Sequence, residues 1–155
     1  MGQVTKETEE ILSSLSRPLK PQGTLVPTEL FAMRNEVDAC NQRHLAQLPG
    51  QVKVFNALRN TVSDPRLHER LDKDCNAVDS LHLKVNAQVM CIKNLTDQGL
   101  VNGSLGCVIG FEEDTGLPVV DFKSGNGGNV SIRRTVNMEQ WKLESGRDVV
   151  TKEQV

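Results

Sequence analysis

The sequence predicts a mixed α+β fold in which helical segments come first and a small antiparallel barrel or sandwich follows. Three observations carry this expectation. Apolar residues recur at helical spacing in the stretches up to Leu48, whereas from Leu81 to Leu143 they alternate with period two. The strand-like runs are short and divided by turn signals, which suits antiparallel strands rather than a parallel sheet with crossover helices. Aromatic residues are scarce, with four Phe, one Trp and no Tyr, so the core must rest on Val, Leu and Ile.

Residues 3–16 can form an amphipathic helix with Val4, Ile11, Leu12 and Leu15 on one side, and Arg17-Pro18 through Gln22-Gly23 breaks it. An extended run, Glu29–Met33, precedes a second helical pattern from about Asn35 to Leu48, whose apolar stripe is Val37, Cys40, Leu45 and Leu48. Asn35 is the expected N-cap, with Glu36 and Asp38 suited to the positive end of the helix dipole. Pro49-Gly50 stops this helix, and Gln51–Leu58 alternates like a strand. Residues 59–80 are polar and Asp-rich; they read mainly as a linker, with room for a short helix around Arg66–Leu71. Strands are then expected at Leu81–Val85, Gln88–Lys93, Leu105–Glu112, Leu117–Lys123, Asn129–Val136 and Met138–Leu143, with turns at Leu100–Ser104, Glu113–Gly116 and Ser124–Asn129. Asn102-Gly103 is a strong tight-turn signal, because both residues tolerate positive φ. Trp141 is expected to plug one end of the barrel, and the tail from Ser145 to fray.

Composition excludes several classes of function. With 18 basic and 20 acidic residues over 155 positions, no global field recruits nucleic acid or membrane. The region 81–143 holds six basic and six acidic residues, which makes it a poor autonomous DNA binder. The low aromatic content argues against an oligonucleotide-binding barrel acting alone by base stacking. No apolar run approaches the roughly 18 residues of a membrane span, and the acidic N-terminus lacks a signal-peptide core, so an intracellular protein without membrane contact is expected. Cys40, Cys75, Cys91 and Cys107 contain no Cys-x-x-Cys pair, and a disulfide framework is not expected. Cys40 and His44 lie four apart on a helix and could chelate one metal, but no second ligand pair follows at usable spacing, so no metal site is expected. Asp64, Asp72, Asp74 and Asp79 lack the spacing and loop glycine of a calcium loop.

The segment 81–111, LHLKVNAQVMCIKNLTDQGLVNGSLGCVIGF, resembles the PIF (petite integration frequency) family of 5′-to-3′ DNA helicases through LKV-x-A-QVM-x-x-KNL and GLVNGS-x-G. The upstream segment is similar to the opening of that family's second RecA-like lobe at Pro27, Thr28, Glu29, Leu30, Arg34, Val37 and Asn41. The resemblance spans roughly residues 16–143. It departs from the family where Ala32 and Met33 stand for the usual proline and threonine, where Asn86 stands for a usual glycine, and where Leu105 replaces a basic residue common in relatives. It implies a small Src-homology-three-like β-barrel preceded by a strand-helix-strand piece of an incomplete RecA-like lobe. The implied organisation is an N-terminal helix and linker (1–23), a partial lobe (24–58), a linker (59–80), the inserted barrel (81–143) and a tail (144–155).

Function follows from what this resemblance includes and lacks. The family couples ATP and Mg to DNA unwinding, with roles in DNA repair, recombination and telomere maintenance in the nucleus, the mitochondrion or both. No G-x-x-x-x-G-K-[ST] loop occurs here, nor any Gly-Lys dipeptide, so nothing cradles ATP phosphates. The later helicase motifs would fall beyond Trp141. The expectation is a partial or degenerate helicase that holds a DNA strand and supports duplex separation within a full-length parent, binds no cofactor alone and is inactive alone as an ATPase. Its expected partners are single-stranded DNA, bound weakly and without sequence preference, and the missing helicase lobes. The alternative is a stand-alone barrel that binds a protein partner. Arg34, Asn41, Lys93 and Asn94 are the candidate contacts to nucleotide or DNA phosphate. For Arg34 a plain surface arginine, and for Asn94 a bond to its own turn backbone, are the competing readings. Arg133-Arg134 reads as edge or surface charge.

Overall fold

In the computed structural model, which describes residues 4–18, 25–61, 64–123 and 131–155, three α-helices accompany nine strands arranged in three antiparallel sheets. The turn expected at 124–129 and most of the breaker at 17–23 lie outside the described residues.

Helix α1 (Lys6–Ser14) is capped by Thr5, whose hydroxyl accepts from the Thr8 amide at 3.3 Å, and Glu7 and Glu9 complement the dipole. Its expected apolar face forms but is covered by nothing among the described residues: Ile11, Leu12 and Leu15 are all exposed, and no α1 residue is buried. The extended run Glu29–Met33 pairs with no strand among the described residues. Instead Gln88 grips the chain just ahead of it, donating to the Val26 carbonyl at 3.1 Å and accepting from the Val26 amide at 2.9 Å.

Helix α2 (Arg34–Gln47) starts one residue ahead of the expected cap. Met33, extended at φ −121°, is the N-cap, and its carbonyl accepts from the Glu36 and Val37 amides, so Asn35 falls inside the first turn. Only Cys40 of α2 is buried, while Leu45 and Leu48 lean on the first core. Lys84 donates to the Leu48 carbonyl at 2.7 Å and satisfies a group that the helix end leaves open.

The strand expected at 51–58 is divided in two. Strand β1 (Lys53–Asn56) pairs with β3 (Ser80–Leu83), whereas β2 (Leu58–Arg59) joins a different sheet. The 59–80 stretch, read mainly as linker, contains helix α3 (Arg66–Asp74), and its Leu71 is 3% exposed. Strands β4 (Gln88–Met90), β5 (Leu105–Phe111), β6 (Pro118–Lys123) and β7 (Ser131–Thr135) form one sheet in chain order. Strands β8 (Glu139–Ser145) and β9 (Asp148–Gln154) form a hairpin that pairs with β2 in the order β2-β9-β8. The tail therefore does not fray; it supplies the central strand of a sheet.

This pairing corrects the closed barrel. Strand β3 is committed to β1 and β8 to β9, so among the described residues nothing bridges β4 to β7 and the sheets stay open. Trp141 does not plug a barrel end either; it lies on β8 and packs against the cluster of Leu71, Cys75, Ala77 and Val150. The other cluster joins Leu83, Ala87, Leu95, Leu100, Val108, Val120 and Phe122. Gly106 is needed for that cluster: a Cβ there would stand 2.7 Å from Val120 Cγ1 and 2.9 Å from Phe122 Cδ1. The tight turn expected at Asn102-Gly103 forms: only Gly103 has positive φ, at 93°, and the Ser104 amide donates to the Val101 carbonyl, which is the type II pattern. Asn86, at the position where the resembled family has glycine, takes φ 70°.

Candidate functional site

An open concavity of about 440 Å³ lies beside the start of α2 and is lined by Arg34, Asp72, Cys75, Asn76, Asp79 and Lys152. Besides Arg34, its charged lining comes from Lys152 of β9, Asp72 of α3 and Asp79 just before β3, with Arg59 of β2 paired to the two carboxylates. Lys152 projects inward from β9 and is 2% exposed; its Nζ donates to Asp72 at 3.0 Å and to the Ala77 carbonyl at 2.6 Å, and pairs with Asp79 at 2.8 Å. Arg59 of β2 reaches the same two carboxylates, donating to both oxygens of Asp72 at 2.8 and 2.9 Å. Two cations and two anions thus neutralise one another.

The titration behaviour follows from this packing. Burial pushes the Lys152 ammonium toward neutrality, but Asp79 and Asp72 outweigh it and hold its pKa above 10.5. Burial likewise pushes Asp72 up, and Arg59 and Lys152 reverse it, leaving the carboxyl below 3.8. Asp79 is held below 3.8 first by Lys152 and then by Arg59, although its side chain remains 72% exposed. All four groups stay charged at neutral pH. With both carboxylates engaged by Lys152 and Arg59, the arrangement neutralises its own charge.

The four residues predicted from the sequence are not gathered at this place. Arg34 opens α2, is exposed, and has no ion-pair partner among the described residues, which leaves its guanidinium available to an anion. Asn41 stands seven residues along the same helix, about two turns on and on the same face. Lys93 is occupied: its Nζ donates to Glu139 at 2.6 Å and to the Gln140 carbonyl at 3.1 Å, and sits 5.4 Å from the Trp141 ring centre. Asn94 accepts from the Asn102 amide at 2.8 Å, so it fastens the turn that follows. Only Arg34 of the four lines the concavity. Arg133 and Arg134 are both exposed on the edge strand β7.

Sequence reasoning missed Arg59, Asp72, Asp79 and Lys152. The available signal was the alternation of Val150, Lys152 and Gln154, which places all three on one face of a strand. Two polar residues in that set disguised the buried face.

The family model for DNA helicase Pif1, 2B domain, matches residues 66–111, from the first residue of α3 to the last of β5. The ATP-dependent DNA helicase PIF1 of Saccharomyces cerevisiae is 49% identical over 112 residues, which is 72% of this chain and 13% of that protein. Human ATP-dependent DNA helicase PIF1 is 34% identical over 159 aligned residues, covering 100% of this chain and 23% of that protein. The crystal structure of Pif1 helicase from Candida albicans superposes with a TM-score of 0.80 at 36% identity, covering 98% of this chain and 39% of that one. The chain belongs to the Pif1 helicase family.

It spans less than a quarter of the two curated Pif1 relatives just described. Bacteroides Pif1 bound to ssDNA shares the fold at a TM-score of 0.58 with 18% identity. Against this Pif1 background the concavity lies partly within the matched 2B region, through Asp72, Cys75, Asn76 and Asp79, and partly outside it, through Arg34 and Lys152.

Proposed function

We propose that this chain serves in Pif1-type DNA unwinding as a strand-holding element without an ATP site of its own. The observation that carries the reading is the match to the Candida albicans Pif1 helicase structure over nearly the whole chain at 36% identity. The absence of a phosphate-binding Gly-Lys loop from this sequence supports catalytic silence, because phosphoryl transfer depends on that cradle, its lysine and bound magnesium. ATP and Mg would be handled by residues outside this chain. Single-stranded DNA is the proposed ligand, held weakly and without sequence preference through phosphate contacts, with Arg34 the strongest candidate and Asn41 beside it. Lys93 and Asn94 then act chiefly within the chain, Lys93 by tying the segment after β4 to Glu139 and Gln140 of β8 and Asn94 by fastening the Gly99–Ser104 loop. A role in repair, recombination or telomere maintenance, in the nucleus or mitochondrion, extends the same family reading.

A second reading, docking to another protein, is favoured by apolar surface: Leu30 is 92% exposed and Met33 60%, and Ile11 and Leu12 of α1 are exposed as well. Purified chain assayed for ATP hydrolysis and for single-stranded DNA binding separates these readings. Background ATP turnover with weak, steeply salt-dependent DNA binding is expected. DNA-stimulated turnover that survives purification refutes catalytic silence, and absence of DNA binding at low salt moves the docking reading ahead.

A further inference from the structure

Cys40 is the only buried residue of α2, at 6% exposure, and it is a thiol rather than one of the larger aliphatic side chains nearby. His44 stands one turn further along the helix, so both side chains occupy one face. The extended segment before α2 brings Glu29 to the same place, where Cys40 Sγ lies 3.8 Å from Glu29 Oε2. The thiol, a carboxylate oxygen and an imidazole nitrogen all lie within 4.8 Å of one another. Among the described residues no other three side chains of these types converge in this way.

We propose that Glu29, Cys40 and His44 form a binding site for a zinc-class divalent cation, with a fourth position open to water. One sulfur, one nitrogen and one oxygen are donors that Zn²⁺ accepts, whereas the thiolate and imidazole disfavour Mg²⁺ and Ca²⁺. Bonds of about 2.0–2.3 Å to a tetrahedral ion would set the donors roughly 3–4 Å apart. Small rotations of the exposed Glu29 and His44 side chains close the observed spacing to that range, while burial holds Cys40 still. The spacing of Cys40 and His44 argued against a metal for want of a second ligand pair, and the fold supplies one further ligand from eleven residues upstream. On binding, the Cys40 thiol releases its proton to solvent and its sulfur lone pair takes the metal, with neutral His44 and ionised Glu29 completing the set. The ion would clamp the segment around Glu29, which no strand ladder holds, onto α2.

Cobalt titration of the reduced full chain tests this. One equivalent of Co²⁺ should give a sulfur-to-cobalt charge-transfer band and the intense visible bands of a tetrahedral site, and Zn²⁺ should erase both. Cys40→Ser should abolish the charge-transfer band. His44→Ala and Glu29→Gln, both at exposed positions and checked for native circular dichroism, should each weaken binding at least about tenfold, the lower limit seen for groups that merely support ligands. Cys91→Ser, which removes a more accessible thiol, should leave the spectrum unchanged. The proposal is overturned if stoichiometric cobalt gives no such bands, if they persist in Cys40→Ser, or if His44→Ala and Glu29→Gln both bind as the parent does.

Discussion

The two hydrophobic clusters are built on different principles. The cluster around β5 and β6 is a dry apolar core, with Val108 at 0%, Val120 at 2% and Phe122 at 3% exposure. The cluster between α3 and the β8–β9 hairpin adds polar groups to its apolar ones: beside Leu71 and Val150, Lys152 and Gln154 are buried to 2% and 1% exposure. The buried ends of Lys152 and Gln154 find partners there, whereas Arg59 Nη1 and, on α3, His68 Nδ1 are buried without one among the described residues. Lys152 meets Asp72, Asp79 and the Ala77 carbonyl, and Gln154 donates to the Phe55 carbonyl at 3.1 Å and the Val78 carbonyl at 2.9 Å. The first cluster gains stability from area removed from water; the second ties β1, β2, α3 and β9 together in one register, because an unpaired buried charge would cost several kcal/mol.

The largest test of this contrast is Phe122→Ala. It should destabilise the chain by about 3–5 kcal/mol in urea unfolding, because the vacated volume sits among Val120, Val108 and Leu100 and cannot refill. A loss below about 1 kcal/mol would mean that β6 is not a core strand. Next is Lys152, where the chemistry of the replacement matters more than its size. Lys152→Ala should cost about 2–4 kcal/mol by leaving Asp72 and Asp79 with Arg59 alone, somewhat offset by solvent at the exposed Asp79. Lys152→Ala together with Asp72→Ala should cost less than the sum of the two single changes, since the single variants each strand a charge. Strict additivity would show that the pair is not coupled.

Acid should weaken the second cluster before the first. Asp72 and Asp79 have folded pKa values below 3.8, so their contribution is present above that value and is lost as pH falls through the lower folded values. Lys152 works in the opposite sense: its contribution is present below 10.5 and fades as pH rises through the higher folded value. Stability should therefore hold a plateau at neutral pH and drop on the acid side, and Asp72→Asn should flatten that acid limb. An acid limb unchanged in Asp72→Asn would remove the network from the account. The smallest effect concerns the surface. Arg34→Ala should lower single-stranded DNA affinity and reduce the salt slope by about one phosphate, from a starting affinity on the order of 10⁻⁴ M or weaker. Lys93→Ala should do less, since Glu139 already holds that ammonium, and Arg147→Ala should do little. Equal losses at Arg34 and Lys93 would show that the Lys93–Glu139 pair opens to DNA.

The first cluster was legible in part: alternation in PVVDFK puts Val120 and Phe122 on one face, whereas both faces of LGCVIGF are apolar and only the fold selects Val108. The segment from Leu81 to Phe111 was enough to suggest the family, and its strands appear close to where period two put them, as β3, β4 and β5. The second cluster was hidden by its polar residues. VVTKEQV reads as a polar tail until Asp72 and Asp79, some 70 to 80 positions away, neutralise Lys152. The candidate site was split in the same way: Arg34 was visible as a cation at a helix start, while its neighbours in the concavity were not.

By itself the sequence determined the helix and strand types over most of the chain, the resemblance of 81–111, and the lack of a phosphate-binding Gly-Lys loop. Each of these is local: periodicity, turn chemistry and motif spacing act within a few residues. Only the tertiary structure decided which strands pair, that β8 turns to β9 instead of closing a barrel, and that Glu29 joins Cys40 and His44. Those outcomes depend on contacts between residues distant in the chain. A strand's edge is satisfied equally well by any partner that matches its hydrogen-bond ladder, and the choice falls to whichever arrangement also pairs the buried charges.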